Sequence, residues 1–156
     1  MIDLQHLSYA YMVDKKCVQV LHDINMHVGK GEVCSVIGPS GCGKSTLLKI
    51  IAGLLHDYDG TATLDGNSIC PNRQRIGFMP QDYGLLPWKT VRDNIELGRK
   101  IRHERVQEKD VVSMMQRLGI EAFSNRHPRE LSGGQQQRVG LARAFLLHPD
   151  VLLMDE

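Results

Sequence analysis

Gly38-Pro39-Ser40-Gly41-Cys42-Gly43-Lys44-Ser45 is the stretch that decides the fold of this 156-residue chain. It fits G-x-x-x-x-G-K-[ST], in which a glycine-rich backbone curls so that successive N–H groups point inward at phosphate oxygens. The flanks fit as well. Upstream, Val33-Cys34-Ser35-Val36-Ile37 is short, rich in β-branched residues and bounded by glycines, which predicts a buried strand. Downstream, Lys44 to Ala52 predicts a helix with Leu47, Leu48, Ile51 and Ala52 on one face and Gly53 as its stop. A helix that starts at the loop adds its positive N-terminal end to the phosphate site. In this pattern Lys44 reaches the β- and γ-phosphates of a nucleotide and the Ser45 hydroxyl ligates Mg2+. Gly38, Ser40, Gly41, Cys42, Gly43, Lys44, Ser45 and the adjoining Thr46 are the candidate nucleotide-binding residues. Alone, the motif does not separate kinases, GTPases and ATPases.

Outward from the loop, Ile2 to Tyr9 alternates as a strand, and Val18 to Val28 reads as strand, turn at His22-Asp23, strand. Gly60 to Ile69 reads as a hairpin turning at Asp65-Gly66. Ile76 to Met79 is a short strand ended by Pro80. Helices are predicted from Thr90 to about Ile101, from Val106 to Leu118, and from Ser132 to Leu146; Val151 to Met154 is a final buried strand. Strands alternate with helices after Val33, which argues for a parallel α/β core with β-hairpins in front of it. No repeat, low-complexity tract or linker interrupts the chain, so residues 1–156 read as one domain.

Composition sets bounds on function. Hydrophobic residues make up 42% and charged residues 24%, an ordinary folded chain. The net charge of +1 gives no surface for coating nucleic acid, and the basic residues Lys100, Arg102, His103 and Arg105 are interrupted by Glu104, as on a solvated helix end. Cys17, Cys34, Cys42 and Cys70 show neither zinc spacing nor a disulfide framework, which places the chain in a reducing cytosol. No apolar run approaches the roughly 20 residues of a membrane span, and Met1-Ile2-Asp3 does not open a signal peptide. If the protein serves membrane transport, another chain must supply the channel.

Two further segments carry chemistry. Val151-Leu152-Leu153-Met154-Asp155-Glu156 is an apolar strand followed by two acids. Asp155 at the C-terminal edge of such a strand can hold Mg2+, and Glu156 can orient or deprotonate an attacking water. The alternative is a plain strand end with exposed acids; beside the phosphate loop the functional reading is preferred. Leu131-Ser132-Gly133-Gly134-Gln135 begins a helix with a capping-box pattern, and its two glycines bare the backbone, making a second anion-binding helix terminus. A well-capped helix with no ligand is the competing reading.

With Gln136-Gln137-Arg138 and Ala142-Arg143-Ala144 behind it, this segment resembles the signature motif of ATP-binding-cassette (ABC) ATPases. The resemblance covers the whole chain, with phosphate loop, signature and final carboxylates in the family's order. It implies an α/β P-loop NTPase core, a front antiparallel β subdomain and an inserted helical signature subdomain over about residues 84–140. It also implies a head-to-tail dimer of ATPase subunits, in which Ser132, Gly133, Gly134 and Gln135 serve the ATP held by the other subunit's phosphate loop. Gln81 matches the glutamine that approaches Mg2+ and the attacking water, in a loop that contacts membrane subunits. Tyr11 matches the aromatic that stacks on adenine, with Tyr9 as its rival and ordinary strand packing as the alternative for both. Lys44, Gln81 and Glu156 are the implied catalytic residues; Ser45, Gln81 and Asp155 are the implied Mg2+ residues.

The stretch Gln81 to Trp88, followed by Thr90-Val91-Arg92-Asp93-Asn94-Ile95, resembles importer ATPases of the nitrate, sulfonate and taurine group. Trp88, the only tryptophan, marks either a surface that grips a membrane subunit or a core residue of the helical subdomain. The implied partners are transmembrane permease subunits, a second ATPase subunit and, indirectly, a periplasmic or extracellular solute-binding protein, with no nucleic acid. The implied location is the cytoplasmic face of the cell membrane. Family members continue past the two carboxylates into a D-loop, a strand and a switch histidine. His148 precedes the carboxylates and does not stand in that place, so the ABC ATPase domain is expected to be incomplete at its C-terminus and a poor ATPase alone. The rival readings are an ABC-type ATPase acting on a non-transport partner and a non-hydrolytic ATP-binding module. No sustained heptad separates Gly43 from Leu131, against the coiled-coil ATPases of chromosome structure, and the signature segment argues against a soluble kinase.

Overall fold

The structure, a computed structural model, describes residues 1–155. The chain falls into two compact units that meet in sequence between Gln74 and Arg75.

The first unit is built on a four-stranded antiparallel sheet of order β2-β1-β3-β4. Strand β1 (Ile2–Val13) turns through Asp14 and Lys15, both in the left-handed region, into β2 (Lys16–Val28). That pair of positive φ angles matches the right-handed twist of the strands it joins. On its other side β1 pairs with β3 (Asp59–Leu64), which turns at Asp65 and Gly66 into β4 (Asn67–Ser68). The reversal expected at His22-Asp23 does not occur. Asp23 sits at φ 48° within a continuous β2, where the register against β1 shifts between Leu4 and Tyr9. The polar residues of this bulge are satisfied locally: Asp23 N–H donates to Ser8 Oγ (2.9 Å), and the Asp23 carboxylate bonds His6 Nδ1 (2.7 Å). β1 continues alongside, so the chain gains more from a bulge than from turning back.

Helix α1 (Lys44–Ile51) buries Thr46, Leu47, Ile50 and Ile51 and ends at Gly53, φ 67°. The strand expected at Val33 to Ile37 is not formed. The segment is assigned to no strand and pairs with none of the described strands, and Val33 and Ile37 are 97% and 93% exposed. β-branched residues fit a pleat, but a strand exists only where a neighbouring strand takes up its N–H and C=O groups.

The second unit carries both parallel strands, β5 (Ile76–Met79) and β6 (Val151–Met154), paired in register from Ile76↔Val151 to Met79↔Met154. Between them run helices α2 (Val91–Ile101), α3 (Glu108–Arg117) and α4 (Gly133–Leu146), with 3-10 turns at Glu121–Phe123 and Pro128–Glu130. The core follows from helical spacing. Val91 and Ile95 on α2, Val111 and Met115 on α3, and Val139, Ala142 and Leu146 on α4 recur three, four or seven residues apart and join Ile120 and Leu131 in one buried cluster. Each such side chain contributes about 1.5–3 kcal/mol relative to exposure, which is enough to orient three short helices. At Gly98 of α2 a Cβ would stand 2.8–3.1 Å from the Leu147 side chain, so this position needs glycine for the approach of the chain leaving α4. Among the described residues no helix is long and apolar enough to cross a membrane.

Candidate functional site

In the first unit the loop 38–43 bends into α1 through Gly41 (φ 81°) and Gly43 (φ 100°), backbone shapes that L side chains rarely adopt. Gly43 is also enclosed: a Cβ there would lie 2.8 Å from Leu21 Cδ2 and 3.0 Å from the Val20 carbonyl oxygen. β2 therefore presses on the first turn of α1 and sets where its N–H groups point. No side chain caps that helix end among the described residues, and its first turn holds no acid. Lys44 folds back over the loop, its Nζ donating to the carbonyl oxygens of Gly38 (3.0 Å) and Pro39 (2.9 Å), with Cys42 Sγ at 3.9 Å. The result is an exposed glycine loop with an ammonium group across it and a helix N-terminus beneath it. This donor-rich set fits a polyphosphate. Gly38, Ser40, Gly41 and Cys42 are all exposed.

Thr46, in contrast, is 7% exposed and its Oγ1 lies 3.4 Å from the Tyr11 hydroxyl. That contact joins β1 to α1 and brings two of the candidate residues together. Tyr9 and Tyr11 meet edge to face with ring centroids 4.9 Å apart, and both rings are half-buried. A ring–ring pair of this kind contributes about 0.5–1.5 kcal/mol beyond area burial, so packing accounts for part of what both tyrosines do.

In the second unit Gln81 and Asp155 come to the same sheet edge. Met79 and Met154 are paired at the ends of β5 and β6, and Asp155 N–H donates to the Met79 carbonyl oxygen (2.9 Å). Asp155 is 8% exposed, so the reading of a strand end with freely solvated acids does not hold for it. Gln81 follows Pro80 and is exposed. The C-terminal edge of parallel strands is where α/β folds bind ligands. A carboxylate and a carboxamide oxygen are hard oxygen donors, so the chemistry of Asp155 and Gln81 at this edge fits Mg2+, and the Ser45 hydroxyl in the first unit is a donor of the same kind. Glu156 lies outside the described residues.

The signature helix α4 begins as expected. Ser132 Oγ accepts from Gln135 N–H (3.4 Å) while Gln135 Oε1 accepts from Ser132 N–H (2.9 Å). This capping box uses two of the orphan donors and leaves Gly133 and Gly134 exposed, with no atom within 4 Å of where either Cβ would stand. Just upstream, the Glu130 carboxyl is held below its usual range, chiefly by the backbone N–H of His127.

Two residues of this unit escaped the sequence reading. Asn94 is fully buried and ties down the loop before α2. Its Oδ1 accepts from Leu86 N–H (2.8 Å), and its Nδ2 faces the carbonyl oxygens of Leu86 (3.1 Å), Lys89 (3.2 Å) and Thr90 (2.9 Å). Trp88 rides on that loop at 71% exposure, which removes the core alternative for it. Arg143 on α4 donates to the carbonyl oxygens of Gly84 and Tyr83, both at 2.6 Å. Burial pushes its guanidinium below its usual value, against the pull of the Asp82 carboxylate. In the sequence each stands only as part of a family-like stretch, which gives neither a role of its own.

Comparison with known proteins places these features in a family. The model of the ABC transporter family matches residues 21–156. The chain is 42% identical over 155 residues to an aliphatic sulfonates import ATP-binding protein of Bacillus cereus, covering 99% of this chain and 61% of that protein. It is 41% identical over 157 residues to a nitrate import ATP-binding protein of Synechocystis, covering 99% of this chain and 59% of that protein. An ABC transporter ATP-binding protein of Bacillus subtilis is 36% identical over 171 residues, covering 100% and 74%. A solved dimeric ATP-binding cassette, described as a post-hydrolysis state bound to ADP and Pi, superposes with a TM-score of 0.90 at 31% identity, covering 100% of this chain and 74% of its own. The chain spans about three fifths of the length of the curated import proteins it matches.

Proposed function

The chain belongs to the ABC transporter family, and on that premise we propose that it binds and hydrolyses ATP as the cytosolic motor of a solute importer. The observation that carries this reading is the exposed glycine loop with Lys44 lying across it at the uncapped start of α1. Lys44 and the loop N–H groups hold the phosphates and stabilise the charge that develops on the transferring phosphoryl group. Ser45 of the first unit and Asp155 and Gln81 of the second would be the residues that hold Mg2+, which when bound would neutralise phosphate charge. Glu156 orients or deprotonates the attacking water. Tyr11 stacks on adenine.

Ser132, Gly133, Gly134 and Gln135 face the ATP of a second copy, so the working unit is a head-to-tail dimer. The open backbone at Gly133 and Gly134 supports that reading, because a phosphate can approach the helix start without meeting a side chain. Transmembrane permease subunits dock on the Gln81-to-Trp88 loop, which places the protein on the inner face of the membrane, with a solute-binding protein engaged only through the permease. The names of the sulfonate and nitrate import relatives support a small oxyanion as solute.

The test is Glu156→Gln in the protein. The variant keeps the shape of the side chain but loses its charge and basicity, so it should bind ATP, fail to release phosphate and elute as a dimer with ATP, where the wild type is mostly monomer. Normal phosphate release by the variant would remove Glu156 from catalysis.

A further inference from the structure

The loop that follows Gln81 is held in an uncommon backbone shape. Tyr83 N–H closes a turn onto the Pro80 carbonyl oxygen (2.9 Å), and Tyr83 and Gly84 then both lie in the left-handed region, at φ 60° and 56°. For Tyr83, which has a Cβ, that conformation is disfavoured and persists only when its surroundings enforce it. One side chain meets both of the carbonyl groups this shape exposes: Arg143 Nη1 donates to Gly84 and Nη2 to Tyr83. The packing is close on this side. A Cβ at Gly84 would stand 3.2 Å from Arg143 Nη2, and a Cβ at Gly140, one turn earlier on α4, would stand 3.4 Å from both Met79 Sδ and Tyr83 Cβ. Asp82 completes the arrangement, its Oδ1 accepting from Gly84 N–H (3.1 Å).

We propose that Arg143 is a positioning residue: its guanidinium fork fixes the backbone of Tyr83 and Gly84, and with it the placement of Gln81, to the helix whose first turn is Ser132–Gly134. A planar fork can serve two carbonyl oxygens at once, whereas a lysine ammonium is a point donor on a flexible stem. Arg143 lies ten residues after Gly133 on α4, roughly 15 Å along the axis at 1.5 Å per residue. A displacement of the helix start is therefore transmitted to the Gln81 loop by one rigid element. The proposal rests on the reading of Gln81 as a group that places Mg2+ and water, and it ties the loop of that group to the signature helix.

The experiment compares wild type, Arg143→Lys and Arg143→Ala by hydrogen exchange of residues 81–87 and by steady-state phosphate release with Mg-ATP. Lys keeps the charge and most of the apolar stem, so it serves where Ala fails to fold. Losing the fork should speed exchange at residues 83–86 and lower kcat, each by about 10- to 100-fold, as expected for a charged hydrogen bond, while KM for Mg-ATP moves far less. Unchanged exchange at residues 83–86 in a folded Lys variant would overturn the clamp. Faster exchange with unchanged kcat would overturn its role in the reaction. Phosphate release is read in a C-terminally extended protein, and an extended wild type that releases no phosphate would instead refute the ATPase reading, which is told apart because it shows before any variant is made.

Discussion

Replacing Asn94 with alanine should cost the second unit about 3 kcal/mol in lost hydrogen bonds alone, taking each net hydrogen bond at about 1 kcal/mol. The side chain is fully buried and faces four backbone groups, but Nδ2 has only two hydrogens for its three carbonyl neighbours. Three full bonds is therefore the sound count: one accepted from Leu86 N–H and two donated. Alanine also leaves Leu86 N–H without its acceptor, an added penalty of about 1 kcal/mol or more, while the Thr90 carbonyl keeps its bond from Asn94 N–H. The expected total of about 4 kcal/mol is a large share of the roughly 5–15 kcal/mol by which domains are stable. Urea unfolding followed by far-UV circular dichroism measures it as a lower midpoint at unchanged slope. A loss below about 1 kcal/mol would mean that the loop carrying Trp88 is not held by Asn94, and the argument would fail.

Gly43→Ala forces a Cβ against Leu21 and the Val20 carbonyl at φ 100°, and should destabilise the first unit by about 1–3 kcal/mol, read as a lower melting temperature. Acid should weaken the second unit through Asp93, whose carboxyl is held below the ordinary aspartate value of 3.8 first by the Thr90 hydroxyl and then by Lys100. A depressed carboxylate contributes stability that is fully present above its unfolded pKa and is lost as pH falls through its folded one. Stability from this group should therefore be flat down to pH 3.8 and decline below it, and Asp93→Asn should remove that part of the decline in a pH series of urea midpoints.

Local chemistry was legible in the sequence wherever a backbone shape demanded a residue type. Asp65-Gly66 gave the hairpin, Thr90 the cap of α2, and Ser132 with Gln135 the capping box, because each serves neighbours a few residues away. What failed depended on distant partners. Val33 to Ile37 has the composition of a buried strand, but composition cannot supply the neighbouring strand that would pair with it. His22-Asp23 looks like a turn, but β1 runs past it and turns it into a bulge. Asn94 and Arg143 gave no usable signal, since their roles lie in backbone groups of loops that the sequence does not place beside them.

Of the candidate site, the shapes of the glycine loop and of the capped start of α4 were legible because both are set largely by local backbone. The placement of Gln81 and Asp155 at one sheet edge depends on the parallel register of β5 and β6. It was reached in the sequence only through family resemblance.

The central claim is that Lys44 and the glycine loop hold the phosphates of ATP. Isothermal titration of Mg-ATP into wild type and Lys44→Ala, each first shown to be folded, tests it most directly. Losing a charged hydrogen bond worth about 1.5–3 kcal/mol should weaken binding about 10- to 100-fold. Equal affinity in the two proteins would contradict the account.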